Sequence, residues 1–318
     1  MQNKVRKFLK EHNLKGKNAL VGYSSGVDST VLLHILNSLK EEFSLKSLTA
    51  VHLNHNWRGE FSDEDEKFAQ NFCKNNDIDF YSEKLPPDIQ KTETTAREKR
   101  YEFFENCKRK FNADVIFLAH TKDDNIETAI YRIIKGTGIE GLRSILPVRD
   151  IFYRPLLEIS KEEIINYAKE NNLEYREDNS NTDIKYRRNF IRHKILPLFK
   201  EINPTAEASI SNLIKVAQAE YELIEEKMEE IKEKLFENGK IKTEEFSKLP
   251  KSHKMKIIQN YIKNDLKNPN SRKIEQIIDF IEETVKEKQD PQFRKWKKFS
   301  INSELFLYVN KKEIFKEK

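Results

Sequence analysis

The chain has 318 residues, 37% hydrophobic and 35% charged, with a net charge of +5. This length suits two domains with a sizeable core, and so small an excess of charge neither demands nor forbids a polyanionic partner. The only cysteines, Cys73 and Cys107, stand far apart, which argues against a disulfide scaffold, a zinc site or an iron–sulfur cluster and suits a reducing cytosol. No stretch is apolar enough to cross a membrane, and residues 1–18 lack a signal-peptide core, so a cytoplasmic protein is expected.

From residue 18 to about 170, short apolar runs alternate with segments of helical spacing. Residues 18–23 read as a buried strand, and Val31, Leu32, Leu33, Ile35, Leu36 and Leu39 follow at helical spacing. Residues 48–53 form a second strand, and Ser62-Asp63-Glu64-Asp65 is read as a capping box opening the next helix. A third strand at 78–81, a helix from about Thr94 and a fourth strand at 114–119 complete the series. Strands separated by helices pair in parallel through right-handed crossovers. Residues 1–203 are therefore expected to form a doubly wound, Rossmann-like α/β domain.

In such sheets the ligand crevice lies beyond the carboxyl ends of the strands. Three polar clusters fall there: residues 24–29, His52 to His55, and His120 to Asp124. After Ser160 the pattern turns helical, with Ser160-Lys161-Glu162-Glu163 as a further capping box. Between residues 184 and 200 there are six Lys or Arg and no Asp or Glu. A boundary near Asn203-Pro204 separates a mainly helical second domain, 204–318. It holds a long amphipathic helix at about 206–236, helices near 251–264 and 271–287, and an alternating stretch at 297–309 that reads as a terminal β-hairpin.

Ser24-Ser25-Gly26-Val27-Asp28-Ser29 turns the first strand into a helix with small residues and hydroxyls, as a phosphate cradle requires. Gly26 is expected to supply unusual backbone angles. Asp28 suits this position if it holds Mg²⁺ or an N–H group of the loop. The Walker ending GK[ST] is absent, and a serine-rich helix cap is the competing reading. Gly136-Thr137-Gly138-Ile139-Glu140-Gly141 matches GxGxxG but follows a helix, so it reads as a capping glycine and a turn.

The 24–29 hexapeptide resembles the SGGxDS signature of the PP-loop ATP pyrophosphatases. Further segments resemble the tRNA(Ile)-lysidine synthetase family, in a short form: His52-Leu53-Asn54-His55 with Trp57-Arg58-Gly59; Glu93 through Arg97 to Arg100-Tyr101; Ala119 through Thr128; Lys135 through Leu142; and Arg154-Pro155-Leu156-Leu157 followed by Arg187 through His193. They cover about residues 18 to 200 in order. The resemblance implies that ATP adenylates the carbon-2 oxygen of the wobble cytidine in a CAU-anticodon isoleucine tRNA, after which the side-chain amine of free L-lysine displaces AMP. ATP and Mg²⁺ are the implied cofactors, the helical second domain is implied to bind tRNA, and a homodimer stays open. Ser25 stands where the signature usually has its first glycine and is expected to put a hydroxyl near the pyrophosphate. Thr121 stands where a second histidine is common.

Within that resemblance Ser24, Ser25, Gly26, Val27, Asp28 and Ser29 are expected to hold ATP, with Asp28 on the metal. Asp124 and Glu127 share a helical face; with Asp123 they are expected to hold the lysine ammonium and take up its proton, or to contribute to Mg²⁺ binding. Arg97 and Arg100 suit the ATP phosphates or the tRNA backbone, and His52 and His55 the adenosine pocket. The basic segment 185–200 suits tRNA phosphates, with Arg188 or Arg192 reaching the active site, and Arg294-Lys295-Trp296-Lys297-Lys298 pairs charge with an aromatic as nucleic-acid surfaces do. A PP-loop tRNA thiolase, which the isolated cysteines suit poorly, and an inactive tRNA-binding module are the rival readings.

Overall fold

A computed structural model describes residues 1–57, 59–176, 184–185, 187–263, 265–266, 270–286 and 296–317. It divides into two compact units, Met1–Gln218 and Ala219–Lys318.

In the first unit α1 (Gln2–Glu11) leads into β1 (Asn18–Gly22), α2 (Val27–Leu39), β2 (Ser47–Asn54), α3 (Glu60–Asn75), β3 (Asp79–Lys84), α4 (Glu93–Phe111) and β4 (Val115–Phe117). Then follow α5 (Lys122–Ile134), α6 (Ile139–Leu142), β5 (Val148–Arg149), β6 (Phe152–Tyr153), α7 (Lys161–Glu170) and α8 (Arg187–Phe190). A π turn over Ile191–Ile195 connects α8 to α9 (Leu196–Ile202), and α10 (Ala206–Leu235) contains the division between the units. The sheet order is β3-β2-β1-β4-β6-β5, parallel throughout except for β5 against β6. β1 is central, which explains why Ala19, Leu20 and Val21 are all apolar and buried. Their side chains alternate between two layers. Ala19 and Val21 pack with residues of α1, α2, α3 and α7, while Leu20, Val51 and Ile116 pack against Phe103, Phe104 and Cys107 of α4.

The strand order reverses between β1 and β4, where a doubly wound sheet opens its ligand crevice. The chain leaving β1 carries residues 24–29, and the chain leaving β4 carries His120 to Asp124. The expected α/β architecture and sheet edge are therefore present.

One helix start differs from expectation. The Ser62–Asp65 capping box does not form: α3 begins at Glu60 behind Gly59, whose φ of 56° turns the chain earlier, and no side chain caps it. Ser62 is instead buried inside the first turns. The Ser160–Glu163 box forms as expected. Gly136, at φ 79°, lies in the turn between α5 and α6, so the GxGxxG match is a turn between helices.

The second unit contains β7 (Phe236–Glu237), β8 (Lys240–Lys242), α11 (Thr243–Lys248), α12 (Lys251–Ile262), α13 (Ser271–Lys286), β9 (Lys297–Ser300), β10 (Phe306–Val309) and β11 (Glu313–Glu317). The expected β9–β10 hairpin joins a larger antiparallel sheet of order β7-β8-β11-β10-β9. Its inner face (Ile241, Leu307, Val309, Ile314) packs with Ile257, Ile258, Ile274, Ile277 and Ile281 of α12 and α13. Arg294 and Lys295 of the expected basic-aromatic segment lie outside the described residues, as does Arg58; Trp296 is exposed.

Candidate active site

The loop between β1 and α2 is held by its own hydroxyls. Ser24 N donates to Ser29 Oγ at 3.2 Å, and Ser29 Oγ donates to the Gly26 carbonyl at 3.0 Å. α2 starts behind Gly26 with no side-chain cap, which leaves its first-turn N–H groups for an anion. Two expectations need correction. Gly26 has ordinary extended angles, φ −73° and ψ 160°, and the left-handed residue is Ser25, at φ 66°. Nor does the Ser25 hydroxyl face the cradle: that turn sends the buried side chain to α3, where Oγ donates to the Asp65 carbonyl at 3.0 Å.

Asp28, in the first turn of α2, receives the Lys161 ammonium on both oxygens, at 2.6 and 2.7 Å. Burial raises the Asp28 pKa, Lys161 opposes that, and nearby Asp124 adds to the rise. Lys161 is the first residue of α7, and its backbone N–H donates to Asp123 Oδ2 at 2.8 Å. The starts of α2, α5 and α7 are thus tied together at one point of the crevice.

Among the expected acids, Asp123 caps α7. Asp124 closes a capping box with Thr121: Oδ2 accepts from Thr121 N at 2.8 Å and from Thr121 Oγ1 at 3.1 Å, while Asp124 N donates back to Oγ1 at 3.3 Å. The residue standing where a histidine is common is therefore the α5 cap. Asp124 and Glu127 do share a face, and Arg192 meets both. Its Nε and Nη2 donate to Glu127 at 2.6 and 3.1 Å, and Nη2 lies 3.8 Å from Asp124 Oδ1. The Glu127 side chain is 1% exposed, and burial pushes its carboxyl up to about 7 against the pull of Arg192. Arg192 projects from the π turn, a distortion that recurs at functional sites.

His120 lies between these acids and a set of arginines. Burial brings it down to about 4, with Asp124 opposing and Arg154, Arg188 and Arg100 adding to the fall, so the imidazole is neutral at pH 7. His55 also falls to about 4, through burial and then through Arg100 and His52. The buried His120 Nδ1, His55 Nδ1 and Trp57 Nε1 have no hydrogen-bond partner among the described residues. His52 is fully occupied on one side: its buried ring has Nδ1 at 2.9 Å from the Tyr23 carbonyl, where it pins the end of β1. Arg97 is exposed on α4, with its guanidinium 5.0 Å from the Tyr101 ring centre.

These residues fit a nucleoside triphosphate: an uncapped helix start, an ammonium, convergent arginines, and orphaned ring nitrogens in a half-buried wall. For a divalent cation the fit is narrower. No group of three His, Cys, Asp or Glu that could hold a metal is present among the described residues. Asp28 alone stands on the loop, in keeping with Mg²⁺, which uses one or two carboxylates and takes the rest of its shell from phosphate and water. Lys161 escaped the sequence reading, because it meets a loop far away in the chain; only its capping-box position hinted that its helix start was well defined.

Over residues 1–199 the chain matches the PP-loop domain family. It is 45% identical over 196 residues to a tRNA(Ile)-lysidine synthase from Clostridium tetani, a match spanning 59% of this chain and 41% of that protein. A tRNA(Ile)-lysidine synthase from Petrotoga mobilis is 38% identical over 237 residues, 72% of this chain and 76% of that protein. One from Persephonella marina is 33% identical over 325 residues, 98% of this chain and 70% of that protein. Of the Clostridium tetani protein and several further tRNA(Ile)-lysidine synthases that it matches, the chain spans about half the length, between 41 and 54%. Among solved structures, the U34-tRNA thiolase NcsA from Methanococcus maripaludis with its 4Fe-4S cluster matches at TM-score 0.56 and 19% identity. That match covers 68% of this chain and 77% of the thiolase, and it is a likeness of fold.

Proposed function

We propose, because this chain belongs to the tRNA(Ile)-lysidine synthase family, that it joins free L-lysine to the wobble cytidine of an isoleucine tRNA with a CAU anticodon. The cytidine carbon-2 oxygen attacks the α-phosphorus of ATP and pyrophosphate leaves. The lysine side-chain nitrogen then attacks carbon 2, and AMP leaves with that oxygen. The α2 start and its 24–29 loop bind the triphosphate, Lys161 and the arginines around His120 balance its charge, and the adenosine borders His52 and His55. Asp28 would be the residue to hold Mg²⁺, which would supply neutralising charge for the departing pyrophosphate.

The acids divide the remaining work. Glu127, whose carboxyl titrates near neutrality, accepts the proton of the attacking amine, and Arg192 orients it. Asp124 supplies charge for the lysine ammonium. The residue 184–200 segment and the helical part from 204 onward bind tRNA phosphates. A target in an anticodon loop is already unpaired, so drawing the base into the crevice costs only a few kcal/mol.

The observation that carries this reading is the Asp28–Lys161–Asp123 tie, which brings the loop and the acid cluster into one crevice. The thiolase alternative needs a reactive thiolate. Cys73 and Cys107 are buried in different layers of the core, with both thiols pushed up to about 12 by burial. The inactive-module reading rested on Ser25, which adopts the left-handed turn without obstructing the cradle. A tRNA-dependent release of AMP and pyrophosphate from ATP tests the proposal. Release without tRNA, or none with any tRNA, counts against it.

A further inference from the structure

We infer that Arg176 is a positioning residue for the phosphate loop, holding Ser25 in the left-handed conformation that serine does not favour by itself. The inference rests on the reading of residues 24–29 as the ATP loop. Three ties close a ring around Ser25. Its Oγ donates to the Asp65 carbonyl at 3.0 Å, and its own carbonyl accepts from the Arg176 backbone N–H at 2.9 Å. The Arg176 side chain completes the ring on α3, with Nε donating to Asp65 Oδ1 at 3.0 Å and Nη2 to Glu64 Oε2 at 3.0 Å.

Exposed ion pairs contribute little, and the Glu64 partner, at 55% exposure, belongs to that kind. Asp65 differs: its side chain is 16% exposed, and the same residue presents the carbonyl that Ser25 grips. Arg176 therefore fixes both sides of the strained residue at once, one through its backbone and the other through Asp65. A non-glycine residue at φ 66° persists only where its surroundings over-determine it. Glycine, which the related signature usually carries at this position, adopts that angle freely. The clamp thus matters because residue 25 is serine, and a glycine there makes it dispensable.

This dependence makes a double-mutant cycle decisive. The full chain is compared with Arg176→Ala, Ser25→Gly and the double variant. The measurements are Mg²⁺–ATP affinity by calorimetry and, without nucleotide, hydrogen exchange at the amides of residues 25–28. With Ser25 present, Arg176→Ala is expected to weaken ATP binding about tenfold, equivalent to about 1.4 kcal/mol, and to speed exchange in the loop. In the Ser25→Gly background the same substitution is expected to change either readout by less than about twofold. Equal losses in both backgrounds would make Arg176 a general support and overturn the inference; so would no loss in either. Should the unaltered chain bind no ATP, the phosphate-loop reading fails, while the exchange arm still decides whether the clamp exists.

Discussion

Arg192 lays its guanidinium along both oxygens of Glu127, at 2.6 and 3.1 Å, and so pairs a permanent cation with a carboxyl that burial holds near neutrality. The relationship keeps Glu127 oriented while leaving it able to change protonation state within the physiological range.

If Glu127 accepts the amine proton, lysidine formation requires its ionised form, and the rate is expected to rise with pH through about 7. The Glu127→Gln variant should lose activity together with that limb. Stability follows the opposite trend. The folded value of about 7 lies above the ordinary 4.5, so the neutral carboxyl favours the fold. That contribution is complete below about 4.5 and disappears as pH rises through about 7, on the order of 3 kcal/mol in total. In denaturant titrations Glu127→Gln should therefore gain on the parent between pH 4.5 and pH 7.5, because only the parent loses stability over that range; a pH-independent difference between them contradicts the assignment.

Removing Arg192 alone takes away the pull that lowers the Glu127 carboxyl, so burial drives that group to take up a proton. Arg192→Gln is expected to cost about 1 kcal/mol at pH 7.5, from the lost hydrogen bonds and the proton uptake, and the Glu127→Gln/Arg192→Gln double variant should be more stable than Arg192→Gln. Urea midpoints measure both. Equal stability of the single and double variants would show that the pair is solvated rather than buried.

Lys161 is expected to serve the loop rather than the fold. Its pair with Asp28 is 38% and 30% exposed, so Lys161→Ala should cost only about 1 kcal/mol of stability. It should nevertheless slow tRNA-dependent pyrophosphate release at least about tenfold. Unchanged turnover in a folded Lys161→Ala protein would reduce Lys161 to a strut between α2 and α7.

The cysteines separate two chemistries. With both thiols buried and titrating at about 12, neither supplies a thiolate at pH 7. The Cys73→Ala/Cys107→Ala variant should keep its turnover number while losing some core packing. Loss of turnover in a variant that remains folded would favour sulfur chemistry.

Much of this was legible in the residues. Runs such as Ala19-Leu20-Val21 announced central strands because both of their faces are buried. The clusters at 24–29 and 120–124 followed from where those strands end. Local signals failed where a competing local choice was cheaper. Gly59 starts α3 ahead of Ser62, and Ser25, not Gly26, takes the left-handed angle. β7, β8 and β11 are short and charged, so periodicity did not mark them; β11 pairs with β10, β8 with β11, and β7 with β8 across a short hairpin. The partners of Asp28 and Ser25, Lys161 and Arg176, lie far along the chain, and no local pattern encodes such a pairing.

The most direct test incubates the full chain with ATP, Mg²⁺ and labelled lysine, offering transcripts of the CAU-anticodon isoleucine tRNA and of methionine tRNA in parallel. Label is expected to enter the isoleucine transcript at its wobble cytidine, with one AMP released per lysine joined, and to leave the methionine transcript unmodified. Incorporation into neither transcript, by a protein that binds both ATP and tRNA, would contradict lysidine formation as the activity of this chain.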